Sequence, residues 1–326
     1  MTMREIRFAE AVREALAEEM RRDERVFTYG EDVELGYAFT VTKGLIDEFG
    51  PERVFDTPIC ESTIIGLGIG AAMMGFRPVP EIMFGDLIFL AMDMICNVAA
   101  KQRYMSGGQL TVPMVIRTPG GRWTGFAAQH SQTIDAFFIH VPGLKVVVPS
   151  SPYDAKGLLK TAIRDDNPVM FIEQKLIYPM IGPVPEEEYL IPFGQANVHR
   201  EGKDLTIIGI GSMVKDCLEA ADILVKEGVE ATVIDPRTLV PLDEETILNS
   251  VARTHRVVIV EEGTKRGGVG AEIAALISER ILDELDAPIQ RVAALDSPVP
   301  CSLVLESHIL PDTNKVVQLA KNMLAY

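Results

Sequence analysis

Apolar residues recur along this chain with two different periods. Phe8, Val12, Leu16 and Met20 fall on one helical face. Val26 to Gly30 is a short apolar run closed by glycine, which suits a strand. Residues 61–75 read as a helix rich in Gly and Ala, Pro78 to Phe84 as a buried strand, and 87–105 as a long apolar helix. Val112 to Arg117 and Leu144 to Val148 are continuous β-branched runs, as expected of strands covered on both faces. Between them lies Thr118 to Thr133, a long segment with little periodicity; such loops inside compact domains are usually functional or disordered. Asp154 to Asp165 reads as a helix and Val169 to Glu173 as a strand. This alternation predicts an α/β fold with a doubly wound parallel sheet.

The texture then changes. Pro179, Pro183, Pro185 and Pro192 surround the acidic run Glu186–Glu187–Glu188. A linker over 179–193 follows, separating a first domain over 1–178 from a second over 194–326. In the second the alternation resumes: strand 204–210, helix 213–227, strand 229–235, helix 243–252, strand 256–261, helix 268–286, strand 289–294. Two doubly wound domains are therefore expected, in keeping with a length of 326 residues.

Composition adds exclusions. A net charge of −16 repels phosphate backbones and disfavours nucleic acid as a partner. Cys60, Cys96, Cys217 and Cys301 are far apart with no C-x-x-C, which argues against a zinc ribbon, a redox pair or a disulfide framework. No uncharged stretch reaches the roughly 20 residues of a membrane span. The expectation is a cytoplasmic protein, or an organelle-matrix protein whose presequence has been removed.

Gly66–x–Gly68–x–Gly70 invites a dinucleotide-binding reading, but that fingerprint needs a strand before it and an acid about 20 residues on. Cys60 to Ile65 reads as a helix start instead, and small residues would let this helix pack closely. Gly263 to Gly270 opens a helix whose N-terminus could take an anion, or Lys265 and Arg266 there are simply solvated. More informative are polar residues in apolar or loop settings: Glu31 after a strand, Glu61 opening an apolar helix, and His130 in the long loop. Glu61 either complements the helix dipole or does chemistry. In open α/β sheets ligands collect at the strand ends, which tilts the choice toward chemistry.

In sequence order, several segments carry a family likeness: Gly30–Glu31–Asp32–Val33, Val41–Thr42–Lys43–Gly44–Leu45, Asp56–Thr57–Pro58–Ile59–Cys60–Glu61, Tyr104–Met105–Ser106–Gly107–Gly108, Gln129–His130–Ser131–Gln132, Pro142–Gly143–Leu144–Lys145–Val146–Val147 and Asp154–Ala155–Lys156–Gly157–Leu158. Over essentially its whole length the chain resembles the beta subunit of the thiamine-diphosphate-dependent decarboxylating component of 2-oxo acid dehydrogenase complexes, the pyruvate, branched-chain and acetoin dehydrogenase group. The resemblance implies a pyrimidine-type thiamine-binding domain followed by a transketolase C-terminal-like domain. It implies oxidative decarboxylation of a 2-oxo acid with acyl transfer to a lipoyl group; acetoin cleavage, a two-chain transketolase and a docking scaffold are the alternatives. The segment Glu34 to Phe39 is shorter than the glycine-rich insert associated with many acetoin enzymes, which favours a 2-oxo acid.

The resemblance also assigns roles. Glu61 would hydrogen-bond the pyrimidine nitrogen of the cofactor, and desolvation would raise its pKa. His130 would donate a proton or stabilise charge during transfer to the lipoyl group. Glu31, Phe84 and Asp86 would line the aminopyrimidine pocket, although Gly85 stands where many relatives have an aromatic. Gly85–Asp86–Leu87 is not the Gly-Asp-Gly motif that holds the metal–diphosphate end. That end, with its magnesium, would come from an alpha subunit in an alpha-2-beta-2 heterotetramer that works with a lipoyl acyltransferase. A structural potassium ion on carbonyls would match Met114, Ala162, Ile163, Asp165 and Asn167. The second domain would pair beta subunits and dock the acyltransferase.

Overall fold

The computed structural model describes residues 2–36 and 39–325, so Tyr37 and Ala38 of the segment Glu34 to Phe39 lie outside the described residues. The chain forms two compact units: Met1–Gly120 with Phe137–Phe193, and Gly121–Ala136 with Gly194–Tyr326.

The first unit opens with strand β1 (Met3–Arg7) and helix α1 (Phe8–Arg22). There follow β2 (Val26–Gly30), α2 (Leu45–Phe49), β3 (Val54–Asp56), α3 (Glu61–Met73), β4 (Arg77–Glu81), α4 (Ala100–Met105) and β5 (Val115–Gly120). After α5 (Asp135–Ile139), which begins in the second unit, come β6 (Lys145–Val147), α6 (Pro152–Arg164), β7 (Val169–Gln174) and β8 (Ile181–Pro185). The main sheet has the order β6-β7-β5-β4-β2-β3, with every pairing parallel. Helix α1 buries Phe8, Val12, Leu16 and Met20, the face that the spacing marks, together with Leu158, Leu159 and Ile163 of α6. Ser151 starts α6 by accepting the Asp154 N–H at 3.1 Å, with Pro152 in the first turn. Gly68 explains the small residues of α3: a Cβ there would lie 2.7 Å from Tyr29 Oη and 2.8 Å from Met114 Cε.

Three expectations need correction here. Residues 87–105 are not one helix. A 3₁₀ turn over Gly85–Ala91 and a π segment over Met94–Ala99 precede α4. The Ser62 hydroxyl donates to the Leu90 carbonyl, so a side chain occupies an acceptor that a regular helix would use. The segment 179–193 is not only a linker, because β8 pairs antiparallel with β1 and Ile191 is buried in the first core. Nor does the first domain run unbroken over 1–178: residues 121–136 group with the second unit, and β5 reaches Gly120.

The second unit contains β9 (Asn197–Arg200), β10 (Leu205–Gly209), α7 (Met213–Val225), β11 (Ala231–Asp235), β12 (Thr238–Val240), α8 (Glu244–Thr254), β13 (Val257–Thr264), α9 (Val269–Ile281), β14 (Gln290–Ala294), α10 (Leu303–Ile309) and α11 (Thr313–Leu324). Its sheet runs β14-β13-β10-β11-β9, parallel except for the edge strand β9. Asp243 and Asp312 cap α8 and α11 by accepting the N–H of Thr246 and Lys315. Among the described residues no helix is long and apolar enough to cross a membrane.

Candidate active site

The carboxyl ends of β2, β4, β5 and β7 carry the polar residues of the first unit. Gly30 ends β2 because a Cβ there would lie 2.3 Å from the Glu81 carbonyl oxygen. Glu31 follows, half-buried. Glu61 is 7% exposed in the first turn of α3, where the helix dipole favours a carboxylate. Burial, Asp32 and Glu61 together raise the Glu31 pKa. Thus the structure brings Glu31 and Glu61 into one electrostatic environment. Phe84 precedes the 3₁₀ turn, with the Phe39 ring edge-on at 6.0 Å and the buried Lys175 ammonium 5.8 Å from its centroid. Asp86 is buried in that turn.

Behind this edge lies a group that the sequence reading missed. Arg117 is 1% exposed and grips Glu173 with two hydrogen bonds, Nε to Oε1 at 2.6 Å and Nη2 to Oε2 at 2.8 Å. A third goes to Glu81 at 2.8 Å, and the Tyr178 hydroxyl donates to Glu173 at 2.7 Å. Burial raises the pKa of Glu81 and opposes charge on Arg117, but Glu173 and Glu81 outweigh that and hold Arg117 protonated. The signal in the sequence was a cation and two acids at the ends of otherwise apolar strands.

His130 belongs to the second unit. It is half-buried; its N–H donates to the Ala127 carbonyl at 3.4 Å, and its ring lies 6.5 Å from Phe126. Beneath this loop are Asp135, Glu261 and Glu262, all buried. Burial, with Glu261 and Glu262 nearby, pushes Asp135 up to about 7, and burial does the same to Glu261. The N-terminus of the helix opened by the Gly263 to Gly270 segment already has an acceptor: the Glu261 carboxyl accepts the Gly270 N–H at 3.0 Å. Gly268 leaves room for that carboxyl, since a Cβ there would lie 2.5 Å from it.

Four of the five carbonyls matched to potassium already accept a hydrogen bond. The Arg77 guanidinium donates to the Ile163 and Asp165 carbonyls at 2.9 and 3.0 Å. The Val169 N–H donates to the Met114 carbonyl at 3.0 Å, and the Asp165 N–H to the Ala162 carbonyl at 3.2 Å. Asn167 bonds Asp165 through its side chain and accepts from Arg103.

Comparison with known proteins agrees along the whole chain. The transketolase pyrimidine-binding domain family matches residues 4–180 and the transketolase C-terminal domain family residues 194–316. The mitochondrial pyruvate dehydrogenase E1 component subunit beta of Dictyostelium discoideum is 47% identical, over 98% of this chain and 91% of that one. The acetoin:2,6-dichlorophenolindophenol oxidoreductase subunit beta of Bacillus subtilis is 46% identical, over 98% of each. A solved split-gene transketolase, described as an inactive beta4 tetramer, superposes with a TM-score of 0.81 at 24% identity over 98% of each chain, which speaks for the fold.

Proposed function

Since the chain belongs to the E1 beta subunits of the pyruvate, branched-chain 2-oxo acid and acetoin dehydrogenase group, we propose that it is the pyrimidine-side half of an oxidative 2-oxo acid decarboxylase. One observation carries the site assignment: Glu61 is a buried carboxyl at a strand-end edge of the sheet, close enough to a second acid, Glu31, to act on it. Such a pair fits the aminopyrimidine end of thiamine diphosphate, with Phe84 as an apolar wall and Asp86 beside it. When bound, the cofactor supplies a carbon nucleophile and an electron sink. Glu61 would hold a proton at the pyrimidine nitrogen, and its low exposure strengthens that bond. Glu31 would favour a neutral state, because burial, with Asp32 and Glu61 nearby, raises its pKa. His130 would supply a proton or oppose charge during acyl transfer to a lipoyl group.

The magnesium–diphosphate end is assigned to an alpha subunit in an alpha-2-beta-2 heterotetramer. Leu67, Met74, Phe76, Leu90 and Tyr104 are apolar yet exposed on the first unit, which supports a partner surface there. A lipoyl acyltransferase is the proposed downstream partner. Acetoin is the second substrate reading, favoured by the 46% identity to the Bacillus subtilis acetoin subunit.

The test mixes this chain with an alpha subunit from the same source and follows 2-oxo acid-dependent dye reduction. Glu61→Gln should lower turnover by about 100-fold or more; turnover within a few fold of wild type would reject the assignment. Substrate profiling against acetoin separates the two readings.

A potassium ion near Asp165 remains part of the proposal, using the Asn167 carbonyl and the second lone pair that the other four carbonyls keep beside their present donors. At ten times its Kd such an ion would add about 1.4 kcal/mol of stability. The measurement is melting in potassium against lithium chloride at equal ionic strength. Equal midpoints would remove the ion, leaving Arg77 and Lys145 as cations of this segment.

A further inference from the structure

The loop that carries His130 is fastened within the second unit by two buried carboxylates. The Gly121 N–H donates to the Gln132 carbonyl at 2.8 Å, which ties the loop's ends together. Glu262, on β13, accepts the Arg122 N–H at 2.6 Å. The hydroxyls of Thr133 and Ser212 donate to the same carboxylate at 3.5 and 3.3 Å, and Arg122 Nε lies 3.5 Å away. Glu306, on α10, accepts the Gly125 N–H at 2.9 Å. Cys301 Sγ reaches the Gly125 carbonyl at 3.6 Å. Glu262 and Glu306 are only 4% and 5% exposed.

Burying a carboxylate is costly unless strong donors compensate, and here the donors are loop amides. The turn between those amides and His130 is a demanding one. Gly125 has φ +77°, and Ala127, which has a side chain, has φ +60°. A non-glycine residue holds that conformation only where its surroundings force it. The Ala127 carbonyl in turn accepts the His130 N–H. The direction of the imidazole is therefore inherited from a strained turn, anchored through backbone amides just before it.

We propose that Glu262 and Glu306 are positioning residues for His130, clamping loop 121–136 by the amides of Arg122 and Gly125 so that the imidazole is presented in one orientation during lipoyl transfer. The proposal rests on the role given to His130 above. A carboxylate that grips backbone fixes the path of the loop whatever side chains the loop carries.

The experiment uses the enzyme assembled with its alpha subunit. Glu306→Ala and Glu262→Ala are compared with Glu306→Gln, Glu262→Gln and His130→Ala. Three quantities are read: amide hydrogen exchange over residues 121–136, dye reduction, and acyl transfer to a free lipoyl domain. In Glu306→Ala the loop should exchange about tenfold faster or more, with β10 and β13 unchanged. Lipoyl transfer should lose about tenfold or more in kcat, with KM for the 2-oxo acid within about twofold, as expected of a displaced catalytic group. Glu306→Gln, which keeps an acceptor for the Gly125 N–H, should recover most of both. Unchanged loop exchange in both alanine variants overturns the clamp. Faster exchange with undiminished lipoyl transfer overturns it too, provided that His130→Ala is impaired. If His130→Ala transfers normally, the role of His130 falls while the exchange result still decides the clamp.

Discussion

Each unit of this chain buries a knot of ionisable side chains, and the two are balanced in opposite ways. In the first unit the Arg117 guanidinium faces Glu173 and Glu81, and the Tyr178 hydroxyl takes a further lone pair of Glu173. Charge there is matched by a bidentate pair, the strongest geometry that these groups have. In the second unit Asp135, Glu261 and Glu262 gather with Arg122 3.5 Å from Glu262, and Arg291 acts on Glu261. Burial outweighs the positive charge there, so two of the three acids are held near pKa 7. The matched knot ties β4, β5 and β7 together and should ignore pH across the physiological range. The unmatched knot stores protons under the His130 loop and should respond to pH. Similar burial thus gives a rigid tie in one place and a titratable base in the other, and how directly a cation grips the acids decides which.

The sharpest way to break this comparison is to remove the cation from the matched knot. Arg117→Leu leaves Glu173 and Glu81 without their cation, Glu173 keeping only the Tyr178 hydroxyl, and breaking such a buried pair typically costs about 3–5 kcal/mol. Urea unfolding of the first unit should show that loss. The loss should be greater at pH 8 than at pH 5, because the stranded acids can take up protons at the lower pH. A cost under about 1 kcal/mol at both pH values would mean that the knot is not a tie at all.

The same contrast explains how far the sequence could be read. Strands β2, β5, β6, β7, β10, β11 and β13 announce themselves, because continuous apolar runs have only one use in a covered sheet. Helix α1 does so by its spacing. Strands β1, β8 and β9 did not: they are short or proline-bearing and lie in a two-stranded ribbon or at a sheet edge, where one face is wet and the pattern fades. Helices α10 and α11 escaped because the Pro298–Val299–Pro300 stretch before them looks like a tail. For the site, Glu31, Glu61 and His130 stood out as polar residues in apolar or loop settings, while their proposed roles, with Phe84 and Asp86, came from motifs tied to a family. Arg117, Glu173, Glu262 and Glu306 were missed because a buried ion pair or an amide clamp depends on partners far away in sequence. Arg117 meets Glu173 across neighbouring strands, and Glu306 meets Gly125 from a helix near the far end of the chain. A single charged letter inside an apolar run is the only trace that such pairings leave.

The unmatched knot gives the smaller and more selective effect. In the folded chain Asp135 holds its proton to about pH 7, against an ordinary value of 3.8. Between those values the native state binds a proton that the unfolded chain has released. The stability tied to that proton is therefore fully present below about pH 4 and lost as pH rises through 7, by up to about 1.4 kcal/mol per pH unit. Glu261 adds a slope of the same sign. Asp135→Asn replaces the protonated acid with a group that cannot ionise, so one of the two slopes should vanish. Asparagine also buries an amide, which shifts stability by a similar amount at every pH. The quantity to compare is thus the change in stability between pH 5.5 and pH 8, not either value alone. Wild type should lose more than the variant over that interval, by about 1–2 kcal/mol, measured by urea unfolding in matched ionic strength. Equal losses in the two proteins would show that Asp135 is ionised in the fold and that Arg122 and the loop amides already balance the knot.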